Sequence, residues 1–354
     1  MTSTTKIRPK VVVFDVDETL GNFSQFSIFT HVLDDYFNKP DISYRHFNDL
    51  VDLYPEIIRP NMLRILDYIR KKKNANVCSK VMIYTNNMGP DTWVAHIRKY
   101  FEYKLRALHS ETRDGGLAIT PPLFDHTIGG FKPQDASTSV SSSAFPQRTT
   151  KEKTVNDLIR CARIPLDTDI CFLDDLHHPK MEDEHVYYIK LQAYHTYIPL
   201  HIFVTRFLNS ALYRDVFDKF AVSSVATTTP SAVKKQVLSI EIHNLFVKYA
   251  NHMKYDAKAH QRKMNPREID EIISKYILYH LQQFFRDGPP QPQSSPHLRK
   301  AATSSRSRNT RNSKKNRLPL STTSTNEYHH TGNVFYIDKT TAVKNMRNKT
   351  IRIR

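Results

Sequence analysis

Cysteine is scarce in this chain: three residues in 354, Cys78, Cys161 and Cys171. None stands at the paired spacing of a thiolate zinc site, and an odd, scattered set excludes a disulfide framework. The expectation is a reduced, intracellular protein, cytoplasmic or nuclear. Long apolar runs are missing too. Nothing approaches the roughly 18 apolar residues of a membrane span, and the apolar stretch in "MTSTTKIRPKVVVF" is too short for a signal peptide. A soluble protein with no membrane partner is expected, and no internal repeat is visible. Acidic residues run short in one region. From Arg286 to Arg354, 15 Lys and Arg stand against Asp287, Glu327 and Asp338, which places +12 of the net +17 there. Within that region "RDGPPQPQSSPHLRKAATSSRSRNTRNSKKNR" has almost nothing to bury, so disorder is expected. Such a tail suits nucleic acid, an acidic protein or nuclear import. A merely solubilising tail is an equal reading.

What is present is 39% hydrophobic residues, enough for a real core. "KVVVFDVDETLG" opens with Val11 to Phe14, a continuous apolar run of the kind buried on both faces of a parallel sheet. Asn61 to Lys73 places Met62, Ile65, Leu66 and Ile69 on one helical face. "KVMIYTNN" is a second buried strand ending at Thr85, and Pro90 opens a helix with Trp93, Ile97 and Phe101 on one side. Strand and helix alternate, as in βαβ units. "LFDHTIGGF" reads as a short hairpin, and Gln134 to Thr150 as a loop. Thr154 and Asp157 resemble a capping box before Val155, Leu158 and Ile159. "DICFLDD" and "VYYI" are further strands, and a long helix begins around Pro199.

The expected fold is therefore α/β, a Rossmann-like parallel sheet in a domain over 1–221. A linker follows over 222–236. A helical extension over 237–285, with apolar spacing at Leu238, Ile242 and Leu245 and again at Ile269, Ile273, Tyr276 and Phe284, packs on itself or on the first domain. The basic tail occupies 286–354, and alternation near Val334 to Ile337 predicts one short strand within it.

Three strands end in polar residues of particular kinds: Asp15 and Asp17, Thr85 and Asn86, Asp174 and Asp175. Carboxyl ends of parallel strands share one edge, so four carboxylates should converge there. Left unpaired they cost several kcal/mol, and a hard divalent cation with oxygen ligands, most simply Mg²⁺, compensates. Mg²⁺ favours phosphate oxygens, which points to phosphoryl chemistry.

"FDVDETLG", "IYTNN", a lysine ahead of a capped helix and "FLDDLHHP" together resemble the four ordered motifs of the haloacid dehalogenase superfamily, over roughly residues 8 to 220. "DETL" and "IIRPNMLRIL" leading into "VMIYTNN" are similar to the NLI-interacting-factor and small C-terminal-domain phosphatases. That subfamily commonly has Asp-Asn-Ser-Pro where this chain has "FLDDLHHP", so Asp175 adds a charge. The resemblance implies no large cap domain and a Mg²⁺-dependent phosphatase working through an aspartyl-phosphate, most directly on phosphoprotein.

In that scheme Asp15 is the nucleophile, and Asp17 is the acid and then the base. Thr85 and Asn86 lie near the transferring oxygens. Asp15, Asp174 and Asp175 hold Mg²⁺ with the Asp17 carbonyl. Lys153, directly before Thr154, is favoured as the phosphate-balancing lysine over Lys151 and Lys132. His177 and His178 read as solvated loop residues and Trp93 as core. A nucleic-acid end phosphatase and a non-catalytic binding module on the same fold are the alternatives.

Overall fold

The computed structural model describes residues 8–110, 121–133, 146–220, 231–290, 330–331 and 333–348. The chain is α/β. Strand β1 (Lys10–Phe14) leads through helices α1 (Ser24–Tyr36), α2 (Ile42–Arg45), α3 (Phe47–Asp52) and α4 (Met62–Asn74) to β2 (Lys80–Tyr84). Helix α5 (Asp91–Ser110), β3 (His126–Ile128), α6 (Val155–Ala162), β4 (Asp169–Asp174) and β5 (Val186–Leu191) follow. Then come α7 (Leu200–Leu208), α8 (Ser231–His252), α9 (Ala257–Lys263) and α10 (Arg267–Asp287). The chain closes with β6 (His330–Thr331), β7 (Val334–Ile337) and α11 (Lys339–Asn348).

The sheet order is β3-β2-β1-β4-β5-β7-β6, parallel throughout except for β6, which runs antiparallel to β7 at the edge. This is a Rossmann-like arrangement. Strand order reverses direction at β1, which lies between β2 and β4, and the crevice at such a switch point is where open α/β sheets place ligands. The pairing of Phe14 with Leu173 sets Asp15 level with Asp174 on neighbouring strands.

Alternation along the strands divides the core in two. Val12, Phe14, Val81, Ile83, Cys171 and Leu173 join one large cluster with residues of α1, α4, α5, α7, α8 and α10. Val11, Val13, Met82, Tyr84, Ile170 and Phe172 face the other way, where α6 covers them with Val155, Leu158 and Cys161. All three cysteines are buried and free. No described helix is long and apolar enough to cross a membrane.

Several expectations change. Residues 123–131 do not make a hairpin: His126–Ile128 is a single strand parallel to β2, because Met82 to Tyr84 offer it an open edge. The interval between Asp17 and Thr85 carries four α-helices and a 3-10 helix (Pro55–Ile57), where the pattern picked out only the helix over Asn61 to Lys73. The long helix after Pro199 stops at Leu208, where Ser210 Oγ donates to Phe207 O at 2.6 Å and accepts from Tyr213 N at 3.0 Å, and a π-helical turn over Tyr213–Phe217 follows. Helix α8 starts at Ser231, inside the stretch read as a linker. It packs on α1 and α7, while α10 packs on α4, β5 and β7, so the helical extension belongs to the main core. The short strand at Val334 to Ile337 does form, and it extends the sheet beside β5. The serine- and arginine-rich stretch of the tail lies outside the described residues.

Candidate active site

Asp15 follows β1 directly, and its backbone N–H donates to Leu173 O at 2.9 Å, which continues the β1–β4 pairing by one step. Beyond it the chain turns sharply. Leu20 N–H donates to Val16 O at 2.9 Å and Glu18 N–H to Gly21 O at 2.7 Å, with Glu18 at φ 60. Gly21 is required for this turn, because a Cβ there would lie 2.4 Å from Ile57 O. Arg59, fully buried, secures the turn from outside: Nε donates to Thr19 O at 2.7 Å and Nη2 to Glu18 O at 2.5 Å.

Lys153 occupies the centre of the site. The Nζ donates to Asp15 Oδ1 at 2.5 Å and to Asp174 Oδ2 at 2.6 Å, and the side chain is 1% exposed. Its place is set by α6, where Thr154, extended at φ −136, accepts from Asp157 N at 3.0 Å as the N-cap. The reciprocal half of a capping box is missing: the Asp157 carboxylate accepts from Thr149 N and Oγ1 instead. Tyr84 and Phe172 present their rings to Nζ, each centroid 5.7 Å away. The competing lysines are elsewhere. Lys151 is exposed, and Lys132 pairs with Asp91 at 2.8 Å.

Carboxylate oxygens of Asp15, Asp174 and Asp175 lie within 4.8 Å of one another, all three side chains buried. Thr19 organises the third member, donating through Oγ1 to Asp175 Oδ1 at 3.2 Å and accepting from Asp175 N at 3.1 Å. Asp174 Oδ1 accepts from Leu176 N at 2.8 Å. Three carboxylates against one ammonium leave an excess of negative charge in a buried place, and hard oxygen donors so arranged fit a divalent cation.

The fourth carboxylate departs from expectation. Asp17 is not part of this cluster. Its Oδ2 accepts from Asn87 Nδ2 at 2.9 Å instead.

Burial drives the titration of these groups. It pushes Asp15 well above the ordinary carboxylate range, against the pull of Lys153. Asp17 is raised by burial, with Asn87 opposing. Burial and then Asp174 push Asp175 up to about 6. For Asp174 burial is outweighed by Lys153 and His178, which hold it low, and Lys153 is raised because Asp15 and Asp174 overcome its own burial.

Thr85 sits just past β2, buried, its backbone N–H donating to Ile128 O at 3.0 Å. Its Oγ1 accepts from Asn87 N at 3.1 Å, which leaves the hydroxyl hydrogen to donate. Asn86 is near by, but its Oδ1 accepts from Arg148 Nη1 at 2.7 Å. Arg148 was not anticipated. Buried under the site, it lies 4.9 Å from the Tyr84 ring centroid and donates to Lys151 O at 2.7 Å, which fixes the segment that delivers Lys153. Asn87 was missed as well; it stood one residue beyond the "TN" that the pattern drew attention to. His178 corrects the expectation of a solvated loop residue. Its side chain is nearly buried, with Nε2 3.3 Å from Asp174 Oδ2, whereas His177 is more exposed and pairs with Glu182 at 2.7 Å. Trp93 is core, with Phe47 edge-on at 5.6 Å.

The fold and this site define a class: a Rossmann-like α/β protein with a lysine-bridged carboxylate pocket at the switch point of its sheet. No family model, curated protein or solved structure matches the chain.

Proposed function

We propose that the chain is a Mg²⁺-dependent phosphatase of the haloacid dehalogenase kind, working through an aspartyl-phosphate on Asp15. The observation that carries this reading is Lys153 Nζ bridging Asp15 and Asp174 beside Asp175, a buried set that supplies a nucleophile, a cation and an oxygen-donor pocket together. Asp15, Asp174 and Asp175 would hold Mg²⁺, which when bound neutralises phosphate oxygens and so lets a carboxylate approach phosphorus. Lys153 balances the remaining phosphate charge, and Thr85 donates its hydroxyl hydrogen to a phosphate oxygen.

Asp15, which Lys153 and a bound Mg²⁺ would keep ionised against its burial, attacks phosphorus, and the leaving oxygen takes its proton from Asp17. The raised affinity of Asp17 for protons suits it to that step. The resulting carboxylate then takes a proton from the water that attacks the phosphoryl group on Asp15, which releases phosphate and restores both residues. Asn87 orients Asp17 between these two tasks.

Phosphoprotein is the favoured substrate, by resemblance to the small C-terminal-domain phosphatases. The basic region from Arg286 onward supports nucleic-acid ends as the second reading. Hydrolysis of a generic aryl phosphate should require Mg²⁺ and stop in excess chelator. Activity that persists in chelator would refute the proposal. Comparing phosphopeptides with phosphorylated oligonucleotides at two salt concentrations separates the substrates.

A further inference from the structure

A second cluster of metal-ligand side chains lies beyond Asp17, built from different donors. Glu18 in the turn, His195 in the segment after β5 and His260 on α9 place one ligand atom each within 4.8 Å of one another. His195 Nδ1 stands 3.4 Å from Glu18 Oε1, close to the edge that two ligands about 2.0 Å from a common ion make at a tetrahedral angle. The His195 side chain is only 9% exposed, yet its Nδ1 is buried and makes no hydrogen bond. A buried polar atom left so costs on the order of 1–3 kcal/mol unless something else engages it.

Helix α9 raises the same question from the other side. It has seven residues and buries none of its side chains, although it forms one wall of a cavity of about 450 Å³ over Asp17, Asn87 and Trp93. Its hydrogen-bonded cap, Asp256 to Ala259 N at 2.9 Å, is internal to the helix and does not attach it to anything. His260 connects it to the body. Its ring is stacked on Tyr255 at 4.9 Å and edge-on to His195 at 5.6 Å, and Nδ1 is 3.3 Å from Asn22 Nδ2. Asn22 also reaches Tyr194 O at 3.3 Å, so one amide orients both histidine-bearing segments, as outer-shell partners of metal ligands do.

We propose that Glu18, His195 and His260 form a second metal site, for a borderline divalent cation of the zinc class, which fastens α9 to the turn that follows Asp17. Two imidazoles and one carboxylate are a donor set for such an ion, in contrast to the all-oxygen pocket at Asp15, Asp174 and Asp175. Lys263 and Arg59 are the cations facing the site, and Lys263 acts on all three ligands, so it limits affinity. The ion shapes the wall of the groove and takes no part in the chemistry.

The whole 354-residue chain, stripped with chelator and reloaded with Zn²⁺ in excess Mg²⁺, should retain one zinc per chain through gel filtration. Co²⁺ in its place should give the visible absorption of a low-coordinate nitrogen site. His260→Ala and Glu18→Gln should lose both signals while keeping the native circular dichroism, Asp175→Asn should keep them, and Lys263→Ala should tighten binding several-fold. Failure to retain zinc, retention in the folded His260→Ala protein, or loss in Asp175→Asn instead would each overturn the proposal. None of these readings needs turnover, so the phosphatase proposal stands or falls separately.

Discussion

On one face of the sheet, helices α1, α4, α5, α7, α8 and α10 bury Val12, Phe14, Ile83 and Leu173; on the other, α6 is the described helix over Val13, Met82 and Phe172. The thick face is built largely of apolar and aromatic side chains, with Tyr54 stacked on Phe203 at 3.8 Å and Phe29 edge-on to Phe203 at 4.8 Å. The thin face carries the cations of the site. Lys153 and Arg148 both descend from the segment before α6 and rest on Tyr84. A cluster of like charges is destabilising wherever it is built, and here it is built on the side that contributes least apolar burial. Stability is thus concentrated on one face, and the residues proposed for chemistry gather at the edge of the other.

The largest effect should come from the thin face. Lys153→Met removes the cation shared by Asp15 and Asp174, so turnover should fall by roughly a thousandfold or more, about 4 kcal/mol in the barrier. The folded protein should also lose stability when Mg²⁺ is absent. Aryl phosphate kinetics and melting with and without Mg²⁺ read both. Equal activity in the variant would remove Lys153 from the mechanism.

Phe284→Ala acts on the thick face. Phe284 is fully buried against Tyr187 and beneath Lys10, and truncation should cost about 3–5 kcal/mol in urea unfolding. Turnover of the folded fraction should change little. A large fall in turnover without loss of stability would show that the division between the faces is wrong.

His280 sharpens the comparison with pH. Burial holds this ring, bonded to Tyr187 Oη at 2.8 Å, down to about 4. The unfolded chain binds a proton near pH 6.5 that the folded chain refuses until about pH 4. Stability from this group is therefore complete above about pH 6.5 and is lost as pH falls through that window, by on the order of 3 kcal/mol. His195, also held down to about 4, adds in the same direction. His280→Gln should shrink the difference between urea midpoints measured at pH 7.5 and pH 4.5, and an unchanged difference would count against the assignment.

Asn87→Ala is the mildest change. Asp17 would lose its orienting partner, so turnover of an alkyl phosphate should drop about tenfold. An aryl phosphate, whose leaving group needs less protonation, should suffer less. Equal losses for both substrates would argue against Asp17 as the acid.

Legibility followed the same division. The strand ends at Asp15, Thr85 and Asp174 could be read because a buried strand is a continuous apolar run and its carboxyl end has a fixed place in a parallel sheet. Lys153 could be read because Thr154 marks a helix start. Arg148 and Asn87 could not, since their roles depend on Asn86, Tyr84 and Asp17 arriving from distant parts of the chain. Strand β3 has three residues and took its direction from its neighbour, so local pattern suggested a hairpin. Val334 to Ile337 showed strand alternation, but nothing local named β5, far back in the chain, as the partner. The turn that follows Asp17 depends on Gly21 meeting Ile57 O, a contact between segments that no periodicity reveals.

The central claim is that Asp15 is a nucleophile in a metal-dependent pocket, and trapping the covalent intermediate tests it most directly. Protein mixed with an aryl phosphate and Mg²⁺, quenched in acid and reduced with borohydride, should show modification at residue 15 by mass spectrometry of the peptides. The modification should vanish in chelator and in Asp15→Asn. Continued Mg²⁺-dependent hydrolysis by Asp15→Asn, or a modification that maps to another residue, would contradict the account.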